Sequence, residues 1–328
     1  MSTPTTPLTR KDFLSSVDPR WCPGCGCYAV LQKITSVMPT LGIPRENFAV
    51  ISGIGCSSRF PYYTNTYGFH TIHGRAPTVA TGLKLANPDL SVWVITGDGD
   101  GLSIGGNHFI HLMRRNVDLK IILFNNQIYG LTKGQASPTT LPGTKTKTTP
   151  TGVFDRQMAP MAMAIAAGAT FAARAHDSDG ELLTEVMTAA AAHKGIAFVE
   201  VMLNCVIFND AAMDPMTNKA TRSENSIRLR HGQPIVFGAD NNKGIRLNNM
   251  TPEIANVSEA KDILRHDIHA EDTSLAFSLA QFAHPKMPTP FGIFRQVTGP
   301  VYEDNFKSTG EADLDKLFKS GTSWVEKG

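Results

Sequence analysis

Residues 97–126 read GDGDGLSIGGNHFIHLMRRNVDLKIILFNN, and this stretch decides the fold. A GDG motif opens it directly after the apolar run 92–95, and an asparagine pair closes it directly after the apolar run 121–124. Both runs are typical of buried parallel strands, and the spacing of apolar residues over 103–115 predicts a helix between them. The stretch is therefore one βαβ unit, with an acid after its first strand and amides after its second.

The strand ends of this unit carry groups suited to a magnesium diphosphate. Because the carboxyl ends of parallel strands meet at one edge of a sheet, Asp98 and Asn126 should converge there. Each offers an oxygen, the ligand that Mg²⁺ takes alongside water and phosphate. The glycines of the motif let a phosphate approach the backbone, and a helix starting near Ser103 would direct its N-terminal amides at the same anion. The alternative is an ordinary strand-turn-helix in which Asp98 only caps the helix.

A GDG motif followed 25 residues later by an asparagine pair resembles the signature of thiamine-diphosphate enzymes. In that family the aspartate, the second asparagine and a backbone carbonyl two residues further on bind Mg²⁺. The resemblance implies the same roles here for Asp98, Asn126 and the carbonyl of Ile128. It further implies that the backbone around the motif holds the diphosphate and that a following loop lines the site, with the residues Gly99, Asp100, Gly130 and Leu131.

Composition places the chain among ordinary globular proteins. It has 328 residues, a formal net charge of +2 and 41% hydrophobic residues, so it can bury a large core in one or two domains. No apolar stretch approaches the roughly 20 residues of a membrane span. The first residues lack the apolar core of a secretory signal, and the charge balance does not indicate nucleic-acid binding. We therefore expect a cytoplasmic protein without membrane or nucleic-acid partners.

The five cysteines need an explanation other than disulfides, which are rare in the cytoplasm. Cys22-Pro-Gly-Cys25 predicts a tight turn with two thiols on one side, while Cys56 and Cys205 each follow a predicted strand. Four such thiols could hold zinc or a 4Fe–4S cluster beside the diphosphate site. Zinc sites usually use two CxxC pairs and this chain has one, which favours the cluster; buried inert cysteines are the alternative. Cys27 is predicted to stay unligated.

Five motifs together resemble the β subunits of 2-oxoacid:ferredoxin oxidoreductases: WCPGCG, IGCSSR, HTIHGRA, the GDGD…NN unit and YGLTKGQASPT. Two longer stretches, NTYGFHTIHGRAPTVATGLK and RHGQPIVFGADNNKGIRL, resemble the 2-oxoglutarate (KorB-type) branch. The resemblance covers about residues 21–295. It implies that the cluster ligands are Cys22, Cys25, Cys56 and Cys205. It also places five residues against the thiamine diphosphate: Ile54, Gly55, Cys56, Ser57 and His73.

The resemblance implies a redox enzyme. Members of this family convert a 2-oxoacid, coenzyme A and oxidised ferredoxin to an acyl-CoA, CO₂ and reduced ferredoxin, and the reaction can run in reverse as a carboxylation. The thiamine cofactor supplies the decarboxylation chemistry, and a nearby cluster removes electrons one at a time. For this chain the expected substrate is 2-oxoglutarate, with pyruvate as the alternative. A non-redox thiamine decarboxylase or synthase and an inactive scaffold are the remaining hypotheses.

Two further side chains are candidates for catalysis. His73 could donate to a phosphate or to the substrate carbonyl, and the alternative is a solvated loop histidine. Arg59 could bind the second carboxylate of 2-oxoglutarate with its guanidinium, and the alternative is a surface or ion-pair arginine. Lys133 is a second choice for that role.

The predicted architecture is α/β, a doubly wound, mostly parallel sheet of the thiamine-diphosphate-binding type with an irregular C-terminal extension. We predict an N-terminal arm over 1–20, a cofactor domain over 21–205 that carries the cluster, and an extension over 206–328 that contacts the core and a partner. Strands are predicted near 48–52, 91–96, 119–124, 168–173 and 197–202, and helices near 28–38, 75–87, 103–115, 157–167 and 179–193.

A partner subunit is expected for a chemical reason. Thiamine enzymes usually activate the aminopyrimidine with a glutamate from a facing domain, and one α/β domain cannot face itself. The resemblance implies an α subunit that supplies this glutamate and much of the coenzyme A site, in an αβ or (αβ)₂ complex. The polar loop 132–152 is long enough to be functional, as a lid or a subunit contact.

Overall fold

A computed structural model of the chain describes residues 7–306 and 319–321. Its strands are β1 Phe48–Ser52, β2 Tyr67–His70, β3 Ser91–Gly97, β4 Lys120–Asn125, β5 Phe171–His176, β6 Ala197–Met202, β7 Ser226–Arg228, β8 Val236–Phe237, β9 Lys243–Asn248, β10 Thr251–Asn256 and β11 Thr289–Gln296. Its α-helices are α1 Cys27–Val37, α2 Phe60–Tyr63, α3 Ala76–Ala86, α4 Asp98–Leu102, α5 Gly106–Arg115, α6 Pro160–Ala166, α7 Gly180–Ala192, α8 Asp214–Thr217, α9 Arg222–Asn225 and α10 Ser274–Ala280.

The fold is organised around one large sheet. Within the described residues it has eight strands in the order β2-β1-β3-β4-β6-β5-β11-β7. The pairs from β2 to β5 are parallel, whereas β11 runs antiparallel to β5. From β1 the chain continues to β2 on one side, while β3 and β4 follow on the other. The boundary between β1 and β3 is therefore a topological switch point, where α/β sheets form ligand crevices.

The sheet separates two apolar layers. Alternate residues of β1 point to opposite faces, so Phe48 and Val50 join the layer that contains α1 and α7. Ala49 and Ile51 join the second layer, which contains α5 and α6. Because β1 and its neighbours β3, β4 and β6 are covered on both faces, their sequences are nearly continuous apolar runs. The α/β class and the mostly parallel sheet are thus confirmed.

Two predicted elements begin at other residues than expected. Strand β5 starts at Phe171 rather than near 168, because Gly168 and Ala169 still donate backbone hydrogen bonds to Ile165 and Ala164 and so cap α6. Gly168 supplies the left-handed conformation that this helix end needs, with φ +93°.

The helix predicted from Ser103 is also different. A short helix, α4, begins directly after β3, and a break before α5 follows it. Gly105 lies in this break, where a Cβ atom would stand 2.6 Å from the Asp100 carbonyl oxygen and 3.1 Å from the Cα of Gly74. The close approach of the Gly74 loop requires the break, and helical periodicity carries no sign of such a long-range contact.

The segments on either side of the predicted cofactor domain contribute to the same core. Phe13 belongs to the arm predicted over 1–20, yet its ring is fully buried and packs edge-on against Phe48 at 5.3 Å. Strands β7 and β11 come from the segment beyond residue 205 and extend the main sheet. The remaining strands β8, β9 and β10 form a small separate antiparallel sheet. None of the helices between residues 7 and 306 is long and apolar enough to cross a membrane.

Candidate active site

The loops that follow β1, β3 and β4 enclose a cavity of about 470 Å³ at the carboxyl edge of the sheet, which we call the cofactor cavity. This volume lies within the roughly 300–1,000 Å³ that is typical of cofactor sites. Every residue predicted to hold thiamine diphosphate or its metal lines it: Ile54, Gly55, Cys56, Ser57, His73, Asp98, Gly99, Asp100, Asn126, Ile128, Gly130 and Leu131. The structure therefore brings these residues together in one place.

Asp98 is the buried acid of the cofactor cavity, with 2% exposure. Its Oδ2 accepts a hydrogen bond from Ser137 Oγ at 2.5 Å and a second short one from Thr139 Oγ1. Burial raises the pKa of Asp98 to about 6, against the opposing effect of these two hydroxyl donors. Since both hydroxyls bind Oδ2, Oδ1 takes no side-chain hydrogen bond from the described residues, which suits a carboxylate that also binds a cation.

Asn126 and Ile128 are placed by a turn immediately after β4. Between them Gln127 has φ +57°, a left-handed conformation that reverses the chain locally. The side chain of Asn126 and the backbone at Ile128 consequently meet Asp98 at the same cavity. Among the described residues no donor reaches the buried carbonyl of Ile128. A carboxylate, a side-chain amide and a backbone carbonyl whose oxygens have free lone pairs are suitable ligands for Mg²⁺.

The side chain of Asp100 links the loops around the cavity, a role that motif reasoning did not predict. Its Oδ1 accepts hydrogen bonds from the backbone N–H of Ile54 at 3.0 Å and of Gly74 at 2.7 Å, and it lies 2.8 Å from His73 Nδ1. Its Oδ2 accepts from Thr96 Oγ1 at 2.6 Å. Asp100 therefore fixes the positions of the loops after β1 and β2 relative to β3.

Tyr129, which sequence reasoning also missed, closes one side of the cavity. Its hydroxyl donates to the Gly99 carbonyl at 3.0 Å. A Cβ atom on Gly99 would lie 2.2 Å from the tyrosine ring, so only glycine allows this contact. Ser137 and Thr139 were likewise not singled out. Their only signal was the polar composition of the loop 132–152, and two of its hydroxyls bind Asp98.

A second pocket of about 240 Å³, which we call the cysteine pocket, adjoins the cofactor cavity. The four predicted cluster ligands all line it: Cys22, Cys25, Cys56 and Cys205. Cys56, Asn126, Gly130 and Leu131 line both spaces. A Cβ atom on Gly130 would lie 3.5 Å from the Cys205 sulfur and 3.6 Å from the Cys56 sulfur. The absent side chain at this position leaves room between the thiols.

The loop with the CxxC pair is held by local turns and by an aromatic anchor. Cys25 N–H donates to the Cys22 carbonyl at 3.0 Å, and Gly24 adopts φ +80°. Trp21 packs edge-on against Tyr63 at 4.8 Å, and its indole N–H donates to the Cys56 carbonyl at 2.7 Å. The anchor therefore ties two of the cysteine-bearing segments together.

The thiols differ in pKa because their surroundings stabilise or destabilise the thiolate form. Burial, with a smaller contribution from the neighbouring cysteine sulfurs, raises the pKa of Cys56 to about 11. A hydrogen bond from the Cys27 thiol lowers the pKa of Cys25 to about 7, and the same contact raises the pKa of Cys27 well above its usual value. Cys27 is 2% exposed and borders the cofactor cavity rather than the cysteine pocket.

The spacing of these thiols bears on the choice between zinc and a cluster. Within the described ranges, no three Cys, His, Asp or Glu side chains are gathered closely enough to enclose one metal ion. A zinc site requires all its sulfurs at about 2.3 Å from a single ion. In an iron–sulfur cluster each thiolate binds a different iron atom, so the ligands stand further apart. The structure thus brings the four thiols to one pocket, without a compact single-ion site among the described residues.

Arg59 and Lys133, the two residues predicted for the second carboxylate of the substrate, lie beside the thiols. Both line the cysteine pocket and neither lines the cofactor cavity. Arg59 Nη1 donates to the Arg20 carbonyl at 3.1 Å, and its charge lowers the pKa of Cys56 slightly against the effect of burial. In this chain Arg59 is thus a neighbour of the thiols.

Comparisons with known proteins agree with this geometry. Residues 53–201 match the family described as thiamine pyrophosphate enzyme, C-terminal TPP binding domain. These residues include the loops that form the cofactor cavity, so the fold and the site define a thiamine-diphosphate-binding protein.

Curated relatives extend the match to nearly the whole chain. The 2-oxoglutarate oxidoreductase subunit KorB of Mycobacterium tuberculosis is 49% identical over 98% of this chain and 90% of its own length. The 2-oxoglutarate synthase subunit KorB of Methanocaldococcus jannaschii is 42% identical over 71% of this chain and 86% of its own. The chain belongs to the family of 2-oxoacid:ferredoxin oxidoreductase β subunits, in the KorB branch.

A solved structure covers the same extent. The 2-oxoglutarate:ferredoxin oxidoreductase from Magnetococcus marinus, with 2-oxoglutarate, coenzyme A and succinyl-CoA bound, matches with a TM-score of 0.76 and 33% identity. The match covers 96% of this chain and 97% of that chain. The fold class and the family expected from the motifs are therefore confirmed.

Proposed function

We propose that this chain is the β subunit of a 2-oxoglutarate:ferredoxin oxidoreductase. The complete enzyme converts 2-oxoglutarate, coenzyme A and two oxidised ferredoxins to succinyl-CoA, CO₂, two reduced ferredoxins and a proton, and it can run in reverse as a carboxylation. One observation carries the proposal: the cofactor cavity and the cysteine pocket share a wall formed by Cys56, Asn126, Gly130 and Leu131. A carbon-centred reaction and a one-electron carrier can then work side by side.

Thiamine diphosphate is assigned to the cofactor cavity, with Mg²⁺ held by Asp98, Asn126 and the Ile128 carbonyl. When bound, the cofactor supplies a nucleophilic carbon and an electron sink for decarboxylation. The chain's own contribution is binding and orientation. Gly99 and Asp100 present backbone amides of the first turn of α4, which have no partner within the helix. The loop Ile54–Ser57 and the segment Gly130–Leu131 enclose the remaining volume.

His73 is positioned to handle a proton in this cavity. Its Nδ1 faces Asp100 Oδ1, which already accepts two backbone N–H groups, so Nδ1 carries the hydrogen and donates. Nε2 is then the ring nitrogen that can accept a proton or a hydrogen bond from substrate. The imidazole is partly exposed, with 41% side-chain exposure, as access from a bound substrate requires.

A 4Fe–4S cluster is assigned to the cysteine pocket, with Cys22, Cys25, Cys56 and Cys205 as its ligands. When bound, the cluster supplies one-electron transfer towards ferredoxin. The residue pattern supports this assignment, because the pocket is open enough to contain four separated thiols and adjoins the cofactor cavity. Cys27 contributes a hydrogen bond to Cys25 rather than a bond to iron.

The α subunit is the expected macromolecular partner. No glutamate is found among the described residues that line the cofactor cavity, whose acids are Asp98 and Asp100. The edge strand β2 is exposed along its length, and large apolar side chains near the cavity face outward: Tyr67 at 66%, Phe69 at 47% and Ile72 at 72% exposure. An uncovered strand edge with an apolar patch is typical of a protein interface. We assign this face to the α subunit, in an αβ or (αβ)₂ complex, and we place that complex in the cytoplasm.

The decisive experiment is an assay of the purified α–β complex with 2-oxoglutarate and, separately, with pyruvate. Coenzyme A-dependent reduction of ferredoxin or a viologen should be much faster with 2-oxoglutarate. A preference for pyruvate would reassign the substrate. Thiamine-dependent decarboxylation without any electron transfer would replace the redox enzyme by a simple decarboxylase.

The same assay decides the role of Arg59. If its guanidinium contacts the second carboxylate of the substrate, Arg59→Leu will reduce 2-oxoglutarate turnover more than pyruvate turnover. Its position beside the thiols favours equal losses with both substrates, and that result would remove Arg59 from the specificity argument.

A further inference from the structure

The first asparagine of the pair, Asn125, does not face the cofactor cavity, although its neighbour Asn126 does. Asn125 is the last residue of β4 and is 3% exposed. Its Nδ2 donates to Glu200 Oε1 at 2.7 Å. Its Oδ1 accepts from the Gln127 backbone N–H at 3.3 Å and lies 2.9 Å from Thr139 Oγ1. One buried amide therefore contacts both the turn after β4 and a hydroxyl that binds Asp98.

Asn125 owes its orientation to a buried ion pair. Glu200 on β6 is 2% exposed and Arg174 on β5 is 5% exposed, and the two residues stand in register on neighbouring strands. Arg174 Nε donates to Glu200 Oε2 at 2.8 Å, and its guanidinium lies over the Phe294 ring at 5.3 Å. An ionised carboxylate has no hydrogen to donate, so the amide of Asn125 must present Nδ2 to it. Oδ1 is thereby directed towards Gln127.

This orientation affects both parts of the predicted metal site. The bond to the Gln127 N–H holds the left-handed turn, with φ +57°, that places Asn126 and Ile128 at the cavity. The hydroxyl of Thr139 has a single hydrogen, and both Asn125 Oδ1 and Asp98 Oδ2 are acceptors within its reach. A contact chain thus joins the ion pair to all three predicted ligands.

We propose that Glu200, held in place by Arg174, is a positioning residue for the magnesium site and acts through Asn125. The inference rests on the function proposed above. Glu200 and Arg174 line a separate cavity of about 190 Å³ behind the turn and do not border the cofactor cavity. They therefore touch neither cofactor nor substrate. Outer partners of metal ligands typically change metal affinity by about 10- to 100-fold when they are removed.

The test uses Glu200→Gln in the purified α–β complex. The introduced carboxamide has the same shape but only one acceptor oxygen, which the Arg174 guanidinium will hold. The NH₂ group of the new glutamine then faces Asn125 and needs an acceptor, so the Asn125 amide rotates to present Oδ1 to it. Asn125 Nδ2 is then directed at the Gln127 N–H, and the hydrogen bond that held the turn is lost. We expect the affinity for Mn²⁺, used as the probe in the presence of thiamine diphosphate, to fall by about 10- to 100-fold. The EPR signal of free Mn²⁺ measures binding without any need for turnover.

Glu303→Gln is the matched control. Glu303 is also a buried carboxylate, with 8% exposure, but it accepts from the Asp118 backbone N–H at the opposite edge of the sheet. Its substitution should leave Mn²⁺ affinity unchanged. Equal affinities in the wild type and in Glu200→Gln would overturn the inference, as would equal losses in both variants.

A double variant keeps the question open to measurement if Glu200→Gln unfolds. Arg174→Met with Glu200→Leu removes both buried charges, a change that often leaves stability unaltered or higher. We expect its thermal unfolding to stay close to that of the wild type while Mn²⁺ binding remains weakened. Wild-type Mn²⁺ affinity in a stable double variant would reduce the ion pair to a structural role. If the wild-type complex itself bound no Mn²⁺, the magnesium site under the proposed function would fail.

Discussion

The two edges of the central sheet both bury polar side chains, but they use them differently. At the amino edge, around the start of β4, Lys120 Nζ donates to Asp118 Oδ1 at 2.8 Å and to the His193 carbonyl at 2.6 Å. Asn116 Oδ1 accepts from Thr170 Oγ1 at 2.7 Å, and its Nδ2 donates to the Pro300 carbonyl at 2.9 Å. These groups bind one another and so hold the chain together.

At the carboxyl edge several polar groups still have atoms that could bind a ligand. Asp98 has one oxygen without a side-chain donor, the Ile128 carbonyl lacks a donor among the described residues, and four thiols share a pocket. Burying polar groups without full compensation costs free energy. The comparison teaches that unused bonding capacity, rather than polarity or burial alone, separates a site for ligands from a structural contact.

The largest expected effect comes from removing the acid at the carboxyl edge. Asp98→Asn should lower turnover of the α–β complex by more than about 100-fold, since loss of an outer partner of a metal ligand alone reaches that size. Thermal unfolding of the metal-free chain should be unchanged or occur at higher temperature, because a buried charge with a raised pKa has been removed. A large loss of stability would place Asp98 with the structural residues of the other edge.

The cysteines provide the next test of the comparison. Cys205→Ala should abolish the visible absorption and the reduced-state EPR signal of a cluster, together with ferredoxin reduction. Cys27→Ala is the matched control, because Cys27 is buried close to Cys25 but lies outside the cysteine pocket. It should retain the cluster signals. Loss of those signals in both variants would mean that Cys27 also has to be counted among the ligands.

The amino edge should respond in the opposite way. Lys120→Met removes the ion pair at 2.8 Å from the Asp118 carboxylate, while Lys84 Nζ still lies 3.4 Å from Asp118 Oδ2. The lost charge-assisted hydrogen bond should therefore cost roughly 2 kcal/mol of unfolding free energy. Urea unfolding of the chain should detect this loss, while turnover of the assembled enzyme per folded molecule stays at the wild-type level. A fall in turnover without a fall in stability would refute the division between the two edges.

The last effect concerns stability at acid pH, and none is expected at neutral pH. Burial lowers the pKa of His193 from 6.5 to about 4 in the folded chain. As pH falls from about 6.5 towards 4, the unfolded chain binds a proton at this residue and the folded chain does not. The free energy of unfolding therefore decreases over this pH range. His193→Gln should make that decrease shallower, as measured by urea unfolding at a series of pH values. An unchanged pH profile would show that His193 is not a source of the acid sensitivity.

Much of the fold follows from patterns that are local in sequence. The apolar runs before Asp98 and Asn126 predicted strands β3 and β4 to within a residue, and helix α3 was equally close. The two strands are buried on both faces, so their composition alone defines them. The start of β5 was missed because of a local helix cap, whereas the break at Gly105 was missed because a distant contact, the approach of Gly74, decides it.

The site divides in the same way. Residues at strand ends could be singled out because parallel topology sends them to one edge. Ser137 and Thr139 could not, since their roles depend on how the loop 132–152 folds back over α4. Tyr129 could not either, because its hydroxyl binds Gly99, which is 30 residues away in the chain. The sheet order, in which β6 precedes β5 and β11 is added from the C-terminal segment, has no local signature either.

The sequence by itself determined which chemical groups this protein brings to its sheet edge: a carboxylate, amides, flexible glycine backbone and thiols, most of them placed just after an apolar run. Only the tertiary structure decided which of those groups are satisfied by the protein and which remain available. The reason is that hydrogen bonds and burial join residues far apart in the chain, as between Asn125 and Glu200 or Asp98 and Thr139. Bonding capacity is therefore a property of the packed molecule.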